Sequence, residues 1–327
     1  MQTLVTGGAG FIGRHLVATL VERGLPVRVL DTQPRGAAPE PVEWLQGSIL
    51  DEALLERAFA GVEWVFHLAA IPHLWIADKA QYEVVNHQGT RLVLRAAGRA
   101  GVRRFVHCST EAVLSRADRG GVVDGTLDPD PDDQPGPYSR SKALAEQAAL
   151  RAAQDGLPLV IASPTAPLGP GDASLTPPTR MVLDYLTGRH PAYLDCVLNL
   201  ADVRDVAEGH LCAAARGVLG RRYLLGGENL RLSDLLTRLQ VLSGRPMPKR
   251  RVPWWLAWTA TAVGEFVADR VTHRAPAASL NGLRLVRRPL TYDSRLAAEE
   301  LDWRARPLDG TLKDAVADLA ARGLLRV

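Results

Sequence analysis

Cysteine and methionine are scarce in this chain, three of each among 327 residues. Cys108, Cys196 and Cys212 are scattered through apolar surroundings, and no pair has the spacing of a metal site or a redox motif. That excludes a disulfide scaffold, gives no reason to expect a metal, and fits a reduced cytoplasm. Long apolar runs are also missing. None approaches the roughly 20 residues that cross a bilayer, so no integral membrane segment is expected. The first apolar residues read as a strand rather than as a secretory signal. Nor does one sign of charge dominate: 39 Lys and Arg face 36 Asp and Glu, a formal +3. No basic stripe with interleaved aromatics appears, so nucleic acid is not an expected partner. Lys249-Arg250-Arg251 reads as a short solvated loop. Repeats and low-complexity tracts are absent. What is abundant is apolar surface: a hydrophobic fraction of 46% can build one large α/β domain, or a domain and a smaller lobe.

The chain opens with Gln-Thr-Leu-Val-Thr-Gly-Gly-Ala-Gly-Phe-Ile-Gly at 2–13. A short apolar strand runs into Gly7, Gly10 and Gly13, and an amphipathic helix follows with Phe11, Ile12, Leu16, Val17 and Leu20 on its inner side. One glycine permits the tight turn, one lets a pyrophosphate approach the backbone, and one lets the helix pack on the strand. The helix N-terminus then offers free N–H groups to the phosphates. A second strand, 27–30, ends in Asp31, 18 residues after Gly13, where a ribose-binding acid is expected. A carboxylate there accepts from ribose hydroxyls and repels a 2′-phosphate, which favours NAD; Arg35 nearby leaves NADP possible.

Strand signals at 3–6, 27–30, 42–45, 63–68, 103–108 and 158–162 alternate with helical patterns at 12–23, 51–59, 79–99 and 138–154. This alternation predicts an α/β fold with a doubly wound parallel sheet. Asp, Pro and Gly break the pattern at 115–137, a loop expected to border the site. Beyond Pro164 the alternation loosens, with helical signals at 178–187, 202–216, 232–243 and 311–323. We therefore divide the chain into a Rossmann domain at 1–162 and, at 163–327, a smaller C-terminal substrate lobe with pieces returning to the main sheet. The apolar stretch 253–270 carries Trp254, Trp255 and Trp258. It reads as a helix packed in that lobe. The other reading, an interfacial helix touching a membrane or a lipid-like substrate, is opposed by Glu265, Asp269 and the shortness of the run.

Phe105-Val106-His107-Cys108-Ser109-Thr110 is a buried strand ending in two hydroxyls, and Tyr138 and Lys142 lie one helical turn apart. Ligands of open α/β sheets bind beyond the carboxyl ends of the strands, which places Thr110 to hold a substrate oxygen. Tyr138 would exchange the proton on that oxygen. Lys142 would hold the nicotinamide ribose and lower the Tyr138 pKa from its ordinary value of about 10. His107, inside a strand, reads as a satisfied core histidine. His73 and Trp75 either line the pocket or belong to a surface loop.

With these pieces in order, the chain resembles the extended short-chain dehydrogenases/reductases of the NAD-dependent epimerase/dehydratase type. The matching segments are Thr6–Gly13, His67-Leu68-Ala69-Ala70, Asn86-His87-Gln88-Gly89-Thr90, Ser109-Thr110 and Tyr138-Ser139-Arg140-Ser141-Lys142. The resemblance implies an NAD(P)-binding Rossmann fold and carries the catalytic hydroxyl, tyrosine and lysine to Thr110, Tyr138 and Lys142. It also implies that Leu68, Ala69 and Ala70 line the cofactor, and that Pro164 and Thr165 pass near the nicotinamide. The family's Gly-Asp after the third strand is Gly47-Ser48 here, which leaves the backbone of Ile49 as the adenine contact. The resemblance further implies a homodimer through the helices near 79–99 and 138–154.

Ser163–Asp172, Asn199–His210 and Tyr223–Leu230 are similar to hopanoid-associated sugar epimerases, relatives of dihydroflavonol reductases and 3β-hydroxysteroid dehydrogenases. Nucleotide-sugar members carry a diphosphate-clamping arginine near the position of Asp202. Here the stretch is the uncharged Cys196-Val197-Leu198-Asn199-Leu200, with Arg180 and Arg189 as possible substitutes. Hydride transfer between NAD(H) and a small-molecule secondary alcohol or ketone is the expected activity. Sugar epimerisation through transient oxidation is the alternative, and a non-catalytic NAD sensor a third reading.

Overall fold

The computed structural model describes residues 1–36, 40–114, 121–189, 191–287 and 289–325. Seven parallel strands form the main sheet: β1 (Gln2–Thr6), β2 (Val27–Asp31), β3 (Val42–Gln46), β4 (Val62–His67), β5 (Arg104–Cys108), β6 (Leu159–Pro164) and β7 (Arg222–Leu225). Their spatial order is β7-β6-β5-β4-β1-β2-β3. From β1 the chain winds first toward β2 and β3, then back across β1 to β4 and onward. That reversal opens a crevice at the carboxyl end of β1, where open α/β sheets bind their ligands. β6 is buried along its whole length, as a strand covered on both faces must be.

Helices cover both faces because each buries an apolar stripe against the sheet. On one side lie α1 (Phe11–Glu22) and α6 (Val203–Arg216), whose Leu16, Val17, Leu20, Ala207 and Leu211 pack on Val5, Phe66 and Val106. On the other lie α2 (Glu52–Phe59), α3 (Thr90–Ala100) and α4 (Pro137–Gln154), with Leu55, Val93, Ala97 and Ala149 packed on Leu4, Val65 and Phe105. The helical signal at 79–99 resolves into a wide π-type turn, Tyr82–Gly89, followed by α3.

The C-terminal half holds a three-stranded sheet, Ala166–Leu168, Val197–Asp202 and Glu228–Arg231, with the second of these in the centre. A separate apolar cluster joins it to α5 (Pro177–Leu186), α7 (Leu232–Ser243) and a helix at Leu308–Ala321. Two of these strands have only three and four residues, while Val197–Asp202 is as long as β4 and β6. Within the expected loop 115–137, residues 115–120 lie outside the described ones. Gly121–Val123 is not irregular: it pairs with Leu290–Tyr292 as a parallel strand.

The Trp-rich stretch forms α8 (Trp254–Val267) and continues as a π-type turn at Ala268–Thr272. No helix is long and apolar enough to cross a membrane among the described residues.

Candidate active site

The glycine loop between β1 and α1 is shaped by close approach. Gly7 has φ +76°, and a Cβ on it would lie 2.7 Å from the Ala69 nitrogen. On Gly13 a Cβ would lie 2.1 Å from the Gly7 carbonyl. Gly8 is equally constrained, since its Cβ would meet Val29 at 2.6 Å, a requirement the sequence reading did not assign. Gly10 caps α1 with extended backbone, and among the described residues no side chain bonds the first-turn amides of Phe11 and Ile12. Free amides at a helix N-terminus, beside a backbone stripped of Cβ atoms, form a cradle that fits a pyrophosphate. Asp31 ends β2 next to this loop: one carboxylate oxygen accepts from the Ala9 amide at 2.8 Å and the other from Gln33 N at 2.9 Å. Arg35 pairs with Glu40. Ser48 closes a local turn by accepting from Leu50 N, and Ile49 is buried with its side chain beneath Gly89.

His67, the last residue of β4, joins three elements. Its Nδ1 lies 2.7 Å from Thr6 Oγ1 and its Nε2 2.9 Å from Thr90 Oγ1. Thr90 Oγ1 already donates to the Asn86 carbonyl, so Nε2 carries the proton and Nδ1 accepts from Thr6. Thr6 Oγ1 in turn accepts from Ala69 N, which fixes the Leu68-Ala69-Ala70 turn over the glycine loop. Burial first, and then the positive charge of Lys142, hold the His67 pKa down at about 3. Asn86 extends the network: its side chain brackets the Ile71 backbone and donates to Ser141 Oγ at 3.0 Å, tying the turn after β4 to α4.

Thr110 follows β5, and Tyr138 and Lys142 occupy the first turns of α4; all three are buried. Thr110 lies close enough to Tyr138 to favour its ionised form, and the Tyr138 ring meets Tyr82 edge-on with centroids 6.1 Å apart. The lowering of the Tyr138 pKa expected from Lys142 is not what the structure shows. Burial, and then the charge of Glu111, raise it, while Thr110 opposes them. Lys142 instead donates to the Cys108 carbonyl at 2.7 Å, and burial lowers its own pKa. Its charge also helps keep His107 and His210 neutral, after burial. His107 is a core residue but not a satisfied one: neither ring nitrogen has a hydrogen-bond partner among the described residues.

Glu111 was not singled out from the sequence. Thr110 Oγ1 donates to its carboxylate at 3.0 Å, and burial raises its pKa to about 7. An acid directly after the Ser-Thr pair was the available signal. Only the fold shows that its carboxyl turns inward.

Beyond β6, Thr165 is buried, and neither its hydroxyl nor that of Ser163 has a hydrogen-bond partner among the described residues. Pro164 ends the strand between them. Arginines of the lobe are committed elsewhere: Arg204 to Asp202 and Asp314, Arg231 to Asp195, and Arg189 to Asp184. Arg180 is exposed on α5. His73 gives its carbonyl to the Tyr82 hydroxyl, and Trp75 donates to Asp269.

Residues 3–226 match the model of the NAD dependent epimerase/dehydratase family. A putative dihydroflavonol 4-reductase of Synechocystis sp. is 37% identical over 319 residues, covering 95% of this chain and 92% of that protein. Sterol demethylase protein B of Methylococcus capsulatus is 31% identical over 331 residues, covering 99% of this chain and all of that protein (100%). The crystal structure of gox2253 superposes with a TM-score of 0.85 at 34% identity, over 99% of each chain. A glycine cradle at the switch point of the sheet, an acid at the end of β2 and a buried Thr-Tyr-Lys group beyond β5 accompany these likenesses, and the chain belongs to the NAD dependent epimerase/dehydratase family.

Proposed function

We propose that the chain catalyses hydride transfer between NAD(H) and a secondary alcohol or ketone on a largely apolar small molecule. The observation that carries this reading is the buried Tyr138, set beside buried Thr110 and Lys142 at the carboxyl end of the sheet. Bound NAD would supply the hydride acceptor or, reduced, the donor. The glycine loop with the N-terminus of α1 would hold its phosphates, and Asp31 its adenosine ribose, which favours NAD over NADP. Lys142 would hold the nicotinamide ribose, with Pro164 and Thr165 beside the ring. Thr110 orients the substrate oxygen, and Tyr138 gives it a proton in reduction or removes one in oxidation. The raised Tyr138 pKa keeps the phenol protonated, the form that reduction of a carbonyl needs.

Two observations favour an apolar substrate over a nucleotide sugar. Arg204, beside Asp202, and Arg231, opposite Val197, are paired with acids of the chain itself. The relatives named above are a putative dihydroflavonol 4-reductase and sterol demethylase protein B. The decisive experiment incubates the protein with NAD or NADP and sterols, aryl alcohols or UDP-sugars, following absorbance of the reduced nicotinamide. Net NADH formation with a hydrophobic alcohol is expected. Silent absorbance with a UDP-sugar converted to its epimer would make the protein an epimerase instead. Tyr138→Phe should cut turnover by at least about 100-fold, the contribution of a positioned proton-transfer group, and turnover at the wild-type level would remove Tyr138 from that role.

A further inference from the structure

Helix α8 is built inside out. The two acids of this helix and its continuing turn face the protein: Asp269 accepts from Trp75 Nε1 at 2.8 Å and from Lys79 Nζ at 2.5 Å, and Glu265 accepts from the Leu280 amide at 2.6 Å. Thr261 and Ala268 are buried on the same side, and Trp258 takes the Arg284 guanidinium 5.6 Å from its ring centre. The acids that argue against an interfacial helix in the sequence are therefore withdrawn from the outer face. That face carries Trp255, Val263, Phe266 and Val271, each 63–69% exposed, with Leu256 and Val267 between them. These positions recur at helical spacing and make one continuous stripe in which Arg270 is the charged residue. An apolar stripe left in water on a helix is the mark of a surface that meets something else.

The charge around the stripe says what that is. Residues 249–288 contain eight Lys or Arg and two acids, and both acids are the inward-facing pair. The rest of the chain carries 31 basic and 34 acidic residues, so the positive charge of the molecule is concentrated here. Exposed Lys249 and Arg250 precede the helix, and exposed Arg270 and Arg274 follow it. We propose that the outer face of α8 docks on an anionic lipid bilayer, with Trp255, Leu256, Val263, Phe266, Val267 and Val271 in the interface and the flanking basic residues on the headgroups. A protein partner would not need cations at both ends of an apolar stripe. A bilayer rewards both at once, since apolar burial and attraction to anionic lipid add. The inner face of the same helix braces the segment holding Trp75 and Lys79, and from that segment Leu74 and Ile76 pack against Tyr82 and Tyr138. The docking surface thus lies one layer from the proposed site. The proposal does not depend on which reaction that site performs.

Co-sedimentation of the full chain with vesicles tests it. Phosphatidylcholine vesicles are compared with vesicles of equal parts phosphatidylcholine and phosphatidylglycerol. The wild type should pellet with the anionic vesicles, and less so at high salt. Trp255→Gln/Phe266→Gln should weaken this partition by at least about tenfold, given the apolar area withdrawn from the interface. Arg270→Glu/Arg274→Glu should weaken it on anionic vesicles only. Because these side chains are exposed, the variants should melt at the wild-type temperature, which separates lost docking from lost folding. A wild type that stays in the supernatant with anionic vesicles overturns the proposal. So does equal pelleting of the Trp255/Phe266 variant, or light scattering in which that variant turns a non-binding dimer into a monomer, the sign of a second copy on the stripe.

Discussion

At the scale of single residues, burial sets the charge states around Tyr138. Glu111 has a folded-state pKa of about 7, against an ordinary 4.5. The folded protein therefore binds this proton more tightly than the unfolded chain. The stability that comes with it is complete below pH 4.5 and is lost as the pH rises through 7. Glu111→Gln should accordingly gain stability relative to the wild type between those limits, read as a diverging urea midpoint; parallel midpoints would refute the burial. In the same variant the negative charge that raises the Tyr138 pKa is gone. The pH profile of alcohol oxidation should lose any inflection near 7, and its remaining limb should move to lower pH. His67 works in the opposite window. Its pKa falls from 6.5 to about 3, so its contribution is present above pH 6.5 and is lost as the pH falls through 3. The identity of Thr110, Tyr138 and Lys142 as candidates was legible in the sequence because their spacing is local. Where Lys142 points was not, because its partner, the Cys108 carbonyl, belongs to a strand 34 residues earlier.

Elements meet at the glycine loop and at α4. Gly13→Ala would push a Cβ to 2.1 Å from the Gly7 carbonyl, a backbone atom that cannot step aside. A cost of about 1–3 kcal/mol or more is expected, with NAD binding lost even where folding survives; calorimetric titration against NAD checks this. Helix α4 is held from behind by Glu146, which is fully buried. It accepts from Ser109 Oγ and from Arg222 Nε at 2.6 Å, while Arg222 also donates to the carbonyls of Gly125 and Leu127. This arrangement locks the Tyr138 helix to β5, β7 and the loop before it. Arg222→Met leaves the carboxylate buried and unpaired and should cost about 3–5 kcal/mol in denaturant unfolding. Adding Glu146→Leu should recover part of that loss, and no recovery would mean that the loop contacts matter more than the pair. Neither residue stood out in the sequence, where Arg222 and Glu146 look like surface charges 76 positions apart.

For the molecule as a whole, ligand binding couples to folding. NAD at 100 times its Kd should raise stability by about 2.7 kcal/mol, seen as an increase in melting temperature. NADP at the same concentration should do less if Asp31 governs the choice, and equal shifts would remove Asp31 from that role. We expect a homodimer through the wide turn at Tyr82–Gly89, α3 and α4, whose alanines permit close helix packing. Light scattering at micromolar concentration should give twice the chain mass of 35.4 kDa; the monomer mass would dismiss this arrangement.

The sequence by itself determined what is periodic or local. Six parallel strands with their covering helices, the glycine loop and the spacing of Tyr138 and Lys142 follow from 2- and 3.6-residue patterns and from residues that touch their chain neighbours. The tertiary structure alone decided what depends on distant partners. It chose β7 as the piece that returns to the main sheet, assembled the small sheet from three separate strands, turned the Glu111 carboxyl inward, buried Glu146, and turned the acids of α8 and its continuing turn inward so that their apolar face meets the solvent. The reason is physical: a pattern in sequence says that a face will be buried or a charge paired. Which face and which partner depend on elements that the chain brings together only when it folds.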